Sequence, residues 1–197
     1  MSALLEEDGE RLLAGLRAVL AAKGLISEAE IAARRAATDT AAPAQGARMI
    51  ARAWTDPEYR ALLLRDGTAA AEIMGIPMLG APPLGVAENT PEVHNLIVCT
   101  LCSCYPRAVL GYPPFWYKSA AYRARAVRDP RGLLAEWGTE IPAQVRIRVV
   151  DSTADYRWMV LPMRPVGTDG WSAAELAAIV RDSDMIGVTV PGAASRP

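Results

Sequence analysis

The stretch Val98-Cys99-Thr100-Leu101-Cys102-Ser103-Cys104-Tyr105 holds all three cysteines of this 197-residue chain. Three sulfur atoms so close in sequence can converge on a single metal ion, and we call residues 99–104 the claw. If Cys102 and Cys104 bind the same ion, the peptide between them folds tightly, and the backbone nitrogens of Ser103 and Cys104 come within bonding range. Three sulfurs and two amide nitrogens would fill five positions of an octahedron and leave the sixth open, as a catalytic metal requires.

This set of donors restricts the choice of metal. Amide nitrogens bind a metal well only when they are deprotonated, and a trivalent ion of high ligand-field strength favours that state. Zinc prefers four ligands in a tetrahedron and has no need of amide nitrogens. Thiolates combined with strong-field nitrogens therefore indicate low-spin cobalt(III) or iron(III).

Three alternatives to an open metal site remain on the residues alone. A disulfide would leave one cysteine unpaired, and the acidic start of the chain lacks the basic head of a signal for export to an oxidising compartment. Buried thiols without metal are the second alternative. The third is a structural zinc site in a non-catalytic interaction protein, with His94, the only histidine, as fourth ligand.

The claw resembles the metal-binding motif of the nitrile hydratase alpha subunit in its cobalt-type form. The iron-type form usually has Ser at the position of Thr100 and Thr at the position of Tyr105. The gamma subunit of thiocyanate hydrolase, in the same superfamily, shares this motif. The resemblance covers most of the chain and includes Asn89-Thr90-Pro91-Glu92-Val93-His94-Asn95, Leu110-Gly111, Pro113-Pro114, Trp116-Tyr117-Lys118-Ser119, Tyr122-Arg123-Ala124-Arg125, Asp129-Pro130-Arg131-Gly132 and Asp184-Met185-Ile186-Gly187-Val188.

The resemblance implies an enzyme, a lyase that hydrates a nitrile to its amide, with one cobalt(III) per chain and iron(III) as the weaker alternative. Its metal ligands would be Cys99, Cys102, Ser103 and Cys104. Cys102 would be oxidised to a sulfinate and Cys104 to a sulfenate, while Cys99 stays a thiolate. Cys104 and Ser103 would be catalytic, through the sulfenate oxygen and through a hydroxyl near the open position. A thiocyanate hydrolase metal subunit is the alternative within the superfamily.

The resemblance also implies partners. A nitrile hydratase beta subunit, as one chain or two, would supply arginines that bind the oxidised cysteines, and a metallochaperone or activator protein would assist. Such arginines are suited to the claw because five anionic donors around a trivalent ion leave net negative charge. The net charge of −1 gives no general attraction to nucleic acid or membrane surfaces. No apolar run approaches the roughly 20 residues of a membrane span, and the cytoplasm is the expected location.

Arg107 departs from the family pattern, which commonly has Trp after Tyr-Pro as part of an aromatic substrate pocket. One interpretation is a surface arginine at a place where the local chain has shifted. The other is a pocket, shared with Tyr105, for a polar or anionic substrate such as thiocyanate or a nitrile on a polar heterocycle. Tyr105 is equally compatible with a packing role.

The hydrophobic patterns predict an α+β fold with a helical arm over residues 1–76 and a metal-binding catalytic domain over residues 77–197. Residues 144–150 alternate in polarity and are predicted to form an antiparallel hairpin with residues 156–161, so the sheet is expected to be mainly antiparallel. The resemblance implies a layered α-β-β-α core and an arm that wraps a partner subunit. A helix over residues 119–128 is predicted to place Arg123, Arg125 and Arg128 on one face, which is either solvated or in contact with an acidic partner.

Overall fold

Residues 2–192 are described by the computed structural model, with side chains from residue 8 onward. Contacts divide the chain into two compact units, Met1–Thr40 and Ala41–Pro197. The predicted boundary between arm and catalytic domain at residue 77 stays a prediction. None of the helices within residues 2–192 has the length and apolar character needed to cross a membrane.

The first unit consists of two helices, α1 over Ser2–Ala22 and α2 over Glu28–Thr40. The chain reverses between them at Gly24, whose φ of 65° is a conformation that glycine adopts without strain. Ser27 and Glu30 form a capping box, because each side chain accepts the backbone N–H of the other residue. Several large apolar side chains of this unit are more than half exposed: Leu12, Leu13, Leu16, Val19 and Leu25.

The second unit begins with three helices, α3 over Pro43–Thr55, α4 over Pro57–Arg65 and α5 over Gly67–Ile73. Asp56 and Asp66 separate them, and each carboxylate accepts the N–H of the residue three positions on, as N-cap residues do. These caps let each helix start immediately after the previous one ends. The buried side chains of the three helices join the core of the unit, among them Met49, Ile50, Leu63 and Ala70.

Four strands form two parallel pairs, β1 with β4 and β2 with β3. In the second pair Val93 lies opposite Arg146 and Val98 lies opposite Asp151. The strand that pairs with β2 therefore comes from a part of the chain that is distant in sequence. The strands are β1 at Leu84–Glu88, β2 at Val93–Val98, β3 at Arg146–Asp151 and β4 at Arg157–Leu161.

The prediction of a mainly antiparallel sheet is wrong, although the α+β class is right. β3 and β4 form close to the predicted places, but they do not pair with each other. The turn between them, in which the N–H of Thr153 donates to the carbonyl of Tyr156 at 2.9 Å, carries the chain from one sheet to the other. Alternating polarity predicts a strand but not its partner, and the pairing here joins segments far apart in sequence. Two parallel pairs stand in place of the sheet expected for the layered core.

Short helices surround the sheets and fix β2 from outside. The Tyr122 hydroxyl donates to the carbonyl of Ile97 at 2.6 Å and holds α8 against β2. Gly187 ends α11 with φ 81°, and a Cβ at this position would lie 1.9 Å from the Asn95 carbonyl oxygen. Only glycine therefore allows α11 to approach the strand so closely. These helices are α6 at Arg107–Leu110, α7 at Phe115–Lys118, α8 at Ala120–Arg128, α9 at Pro130–Glu136, α10 at Ala173–Ala178 and α11 at Asp182–Ile186.

Candidate metal centre

The three cysteine thiols converge directly after the last residue of β2. The Sγ atom of Cys102 lies 3.5 Å from that of Cys99 and 3.3 Å from that of Cys104. All three sulfurs lie within 4.8 Å of one another. Cys99 and Cys104 are buried and Cys102 is exposed, so the sulfur cluster is open on one side. This arrangement is able to hold a metal ion and leave it accessible from that side.

Two of the three thiols differ in acidity. The pKa of Cys102 is lowered, first by its hydrogen bond with the Cys104 thiol and then by the backbone N–H of Ser103. Burial raises the pKa of Cys104 to about 12, although the positive charge of Arg157 acts in the opposite direction. The backbone N–H groups of Ser103 and Cys104 both contribute to the lowered pKa of Cys102.

Asp151 anchors the claw from the neighbouring strand. Its carboxylate accepts the backbone N–H of Thr100 at 3.0 Å and the Thr100 hydroxyl at 2.5 Å. Asp151 reaches Thr100 because it lies opposite Val98 in the parallel register of β2 and β3. Sequence reasoning missed this contact, since the expected antiparallel hairpin placed β3 beside β4. The signal that would have revealed it is the single acidic residue at the end of the alternating strand.

Two further side chains bind backbone carbonyls of the claw. The Tyr117 hydroxyl, on α7, donates to the carbonyl of Cys104 at 2.8 Å. Arg123, on α8, donates through Nη1 to the carbonyl of Leu101 at 3.0 Å. The helix face predicted to be solvated therefore also makes a contact with the claw, through Arg123. The claw is held at its start, middle and end by β3, α8 and α7 respectively.

Buried donors without acceptors are concentrated around the claw. Among the described side chains, three buried polar atoms have no hydrogen-bond partner: the Tyr105 hydroxyl, Arg123 Nε and Arg157 Nη1. Tyr105 follows the last cysteine, Arg123 binds the claw, and the charge of Arg157 acts on Cys104. Buried donors in folded proteins normally have acceptors, so these three groups are able to donate to an oxygen or an anion near the claw.

Of the remaining predicted site residues, two are exposed and one is buried. Ser103 is exposed at the tip of the claw, and its backbone is part of the tight turn. Tyr105 is buried and packs edge-on against the ring of Tyr117, with ring centroids 5.0 Å apart. Arg107 is exposed at the start of α6, where its guanidinium carbon lies 4.2 Å from the centre of the Tyr112 ring. The predicted catalytic and pocket roles of these residues stay predictions.

His94 lies outside the sulfur cluster. Its Nε2 is 2.7 Å from the Gly187 carbonyl oxygen, an atom that can only accept, so Nε2 carries the proton. Nδ1 consequently accepts from the side-chain amide of Asn89, at 3.2 Å. Burial lowers the pKa of His94 and so favours the neutral ring. Both ring nitrogens are therefore engaged, and among the described residues the cluster that could hold a metal consists of the three cysteines without this histidine.

The sequence model of a protein family described as nitrile hydratase, alpha chain, matches residues 7–189. The chain belongs to this family. It is 48% identical to the low-molecular weight cobalt-containing nitrile hydratase subunit alpha of Rhodococcus rhodochrous, over 97% of this chain and 92% of that protein. It is 42% identical to the thiocyanate hydrolase subunit gamma of Thiobacillus thioparus, over 93% of this chain and 80% of that protein.

A solved structure supports the same relationship. A double mutant of the Fe-type nitrile hydratase from Comamonas testosteroni Ni1 superposes with a TM-score of 0.77 and 41% identity, over 95% of this chain and 92% of that one. The predicted family membership is therefore confirmed both by sequence and by fold. Nitrile hydratase alpha subunits are parts of lyases that work with a beta subunit.

Proposed function

We propose that this chain is the metal-bearing alpha subunit of a nitrile hydratase, which adds water to the carbon–nitrogen triple bond of a small nitrile to give the amide. The convergence of three thiols at one open edge carries this proposal. The relative from Rhodococcus rhodochrous is named as cobalt-containing, and we propose low-spin cobalt(III), one per chain, for this protein also.

The proposed ligands are the sulfurs of Cys99, Cys102 and Cys104 and the backbone nitrogens of Ser103 and Cys104. They fit this role because the three sulfurs are already clustered and both backbone N–H groups contribute to the lowered pKa of Cys102. A trivalent ion in this claw would supply Lewis-acid activation of a nitrile or of water at its open position. Zinc is a poor fit, because His94, its proposed fourth ligand, is bound elsewhere through both ring nitrogens.

The oxidation states and catalytic roles of the individual claw residues are proposed as follows. We propose that Cys102 becomes a sulfinate and Cys104 a sulfenate, and that Cys99 stays a thiolate. The sulfenate oxygen of Cys104 would act as nucleophile or general base toward the substrate, and the exposed Ser103 hydroxyl would orient a group beside it by hydrogen bonding. The oxygens added to the cysteines would be acceptors of the kind that the buried, unpartnered donors around the claw require.

A beta subunit, as one chain or two, is the proposed partner, with arginines that bind the oxidised cysteines, and an activator protein is proposed for metal loading. Exposed apolar side chains support a partner at two places: helix α1 with the turn that follows it, and the surroundings of the claw. In the second place the exposed fractions reach 86% at Leu101, 68% at Tyr112 and 89% at Phe115. A covering subunit would remove this apolar surface from water. The cytoplasm stays the predicted location.

A thiocyanate hydrolase is the second candidate function, and Arg107 is the observation that favours it. The chain resembles a thiocyanate hydrolase gamma subunit at 42% identity. The guanidinium of Arg107 makes no hydrogen bond or ion pair with the other described residues, so its edge has donors free for an anion while its face lies over the Tyr112 ring. Under this alternative Arg107 would bind the negative charge of thiocyanate.

The deciding experiment is to produce the chain together with a nitrile hydratase beta subunit and to assay both reactions. Amide formation from a nitrile supports the first function, and loss of thiocyanate without nitrile hydration supports the second. Cys99→Ala, Cys102→Ala and Cys104→Ala should each abolish metal retention and activity, because each removes an anionic ligand. Full turnover by the isolated chain would refute the claim that the site is shared with a partner.

A further inference from the structure

A single arginine on α8 holds the middle of the claw. We propose that Arg123 is a positioning residue that orients the peptide group between Leu101 and Cys102 before metal binds. Its Nη1 donates to the Leu101 carbonyl at 3.0 Å. The Leu101 side chain is 86% exposed, so its own packing contributes little to holding this part of the loop.

The contact reaches the sulfur ligands through the rigidity of the peptide bond. The carbonyl of Leu101 and the N–H of Cys102 belong to one planar group and point in opposite directions. That N–H donates to the Cys99 sulfur at 3.3 Å. Arg123 and the Cys99 sulfur therefore hold the two ends of the same peptide group. Fixing its carbonyl oxygen also fixes the position of Cys102 relative to Cys99.

The base of Arg123 is itself well fixed. Its neighbour Tyr122 is buried and bonds the carbonyl of Ile97, in the strand that leads into the claw. Arg123 therefore reaches the claw from a helix that is anchored to the strand leading into the claw. This leaves little freedom for Arg123 to move relative to the claw. The guanidinium also keeps a buried Nε–H without an acceptor in the described part of the chain, so it has a donor left for an oxygen of the completed site.

The test compares Arg123→Met with Arg123→Lys and with the control Arg128→Met. Arg128 lies on the same helix and is exposed, and its side chain makes no hydrogen bond or ion pair with the other described residues. The first measurement needs no metal: the full-length reduced chain is labelled with a maleimide, and modification of each cysteine is followed by mass spectrometry. We expect the buried Cys99 and Cys104 to be labelled several-fold faster in Arg123→Met and at the wild-type rate in Arg128→Met.

The second measurement is competition for Co²⁺ between the full-length chain and a chelator, and it rests on the proposed function. Arg123→Met should bind cobalt roughly 10- to 100-fold more weakly, as is usual when a group that orients metal ligands is removed. Arg123→Lys should recover part of the loss, because lysine can still donate to the carbonyl. The melting temperature of the metal-free chain is recorded for every variant.

The outcomes separate this inference from the proposed function. Unchanged labelling and cobalt affinity in Arg123→Met would overturn the positioning role. A lower melting temperature with unchanged cobalt affinity in Arg123→Met would also overturn the positioning role, because that result would indicate a general contribution of Arg123 to stability. Failure of the wild-type chain to bind cobalt would refute the proposed function, while the labelling result would still decide whether Arg123 orders the claw.

Discussion

The substitution Asp151→Asn tests how much the neighbouring strand β3 contributes to ordering the claw for metal binding. The carboxylate of Asp151 accepts two hydrogen bonds from Thr100, at 3.0 Å from the backbone N–H and 2.5 Å from the hydroxyl. Asparagine has nearly the same size and keeps one acceptor oxygen, but it loses the charge and replaces the second oxygen with a donor. The start of the claw should therefore be held by one neutral bond instead of two charged ones.

The magnitude follows from the strength and exposure of these bonds. Hydrogen bonds to charged groups contribute about 1.5–3 kcal/mol each when well shielded. Both residues are exposed, so solvent and salt weaken the pair, and we take about 1–2 kcal/mol for the change. That corresponds to a factor of roughly 5–30 in the equilibrium constant between the ordered and the disordered claw. Cobalt affinity should fall by up to this factor, because only the ordered claw brings the three sulfurs together and the apparent affinity is proportional to its population.

The assay is competition for Co²⁺ against a chelator, with the full-length chain and three further variants. Asp155→Asn is the matched control, because Asp155 is exposed in the turn after β3 and makes no contact with the claw. Thr100→Ala removes the hydroxyl bond, and the double variant Thr100→Ala with Asp151→Asn measures the coupling between the two residues. An affinity of Asp151→Asn within twofold of wild type, or strictly additive effects in the double variant, would refute the reasoning.

Three other predictions concern the oxidation state, the substrate and the pH dependence. Active, metal-loaded enzyme should be heavier than its sequence by roughly three oxygens, located on Cys102 and Cys104; an intact mass with three reduced cysteines would contradict this. Arg107→Trp should lower the ratio of kcat/KM for a polar heteroaromatic nitrile to that for a small aliphatic nitrile, and an unchanged ratio would make Arg107 a surface residue. Burial lowers the pKa of His94 below its ordinary 6.5, so the unfolded chain takes up the proton more readily and stability should fall as pH drops below about 6.5. His94→Gln should reduce this pH dependence of the free energy of unfolding. If urea denaturation gives the same dependence of that free energy on pH in wild type and variant, the prediction is wrong.

The claw was predictable because its chemistry is local. Three cysteines within six positions are separated by so few residues that their sulfurs can easily come close, and the structure brings them together as expected. The neighbours that hold the claw were not predictable, because they depend on pairing between distant segments. Asp151 reaches Thr100 only in a parallel register, whereas the short turn between β3 and β4 favoured an antiparallel hairpin.

Arg123 illustrates the same limit for helices. The spacing of arginines along residues 119–128 predicts a common face, but it does not indicate what lies opposite that face. That depends on the packing of α8 against β2 through Tyr122, a contact between residues 25 positions apart. Of the three arginines, Arg123 turns to the claw, while Arg125 pairs with Glu136 and Asp129. Patterns of polarity therefore locate elements, and long-range contacts decide which residues serve the site.

The most direct test of the account is the identity and electronic state of the metal in the chain purified with its partner. Elemental analysis should find about one cobalt per chain, and electron paramagnetic resonance should be silent, as low-spin cobalt(III) has no unpaired electrons. The metal should disappear in Cys104→Ala, because the buried sulfur of Cys104 is one of the three that form the cluster. A low-spin iron(III) signal would contradict the choice of cobalt, and one tightly held zinc per chain would contradict the catalytic claw itself.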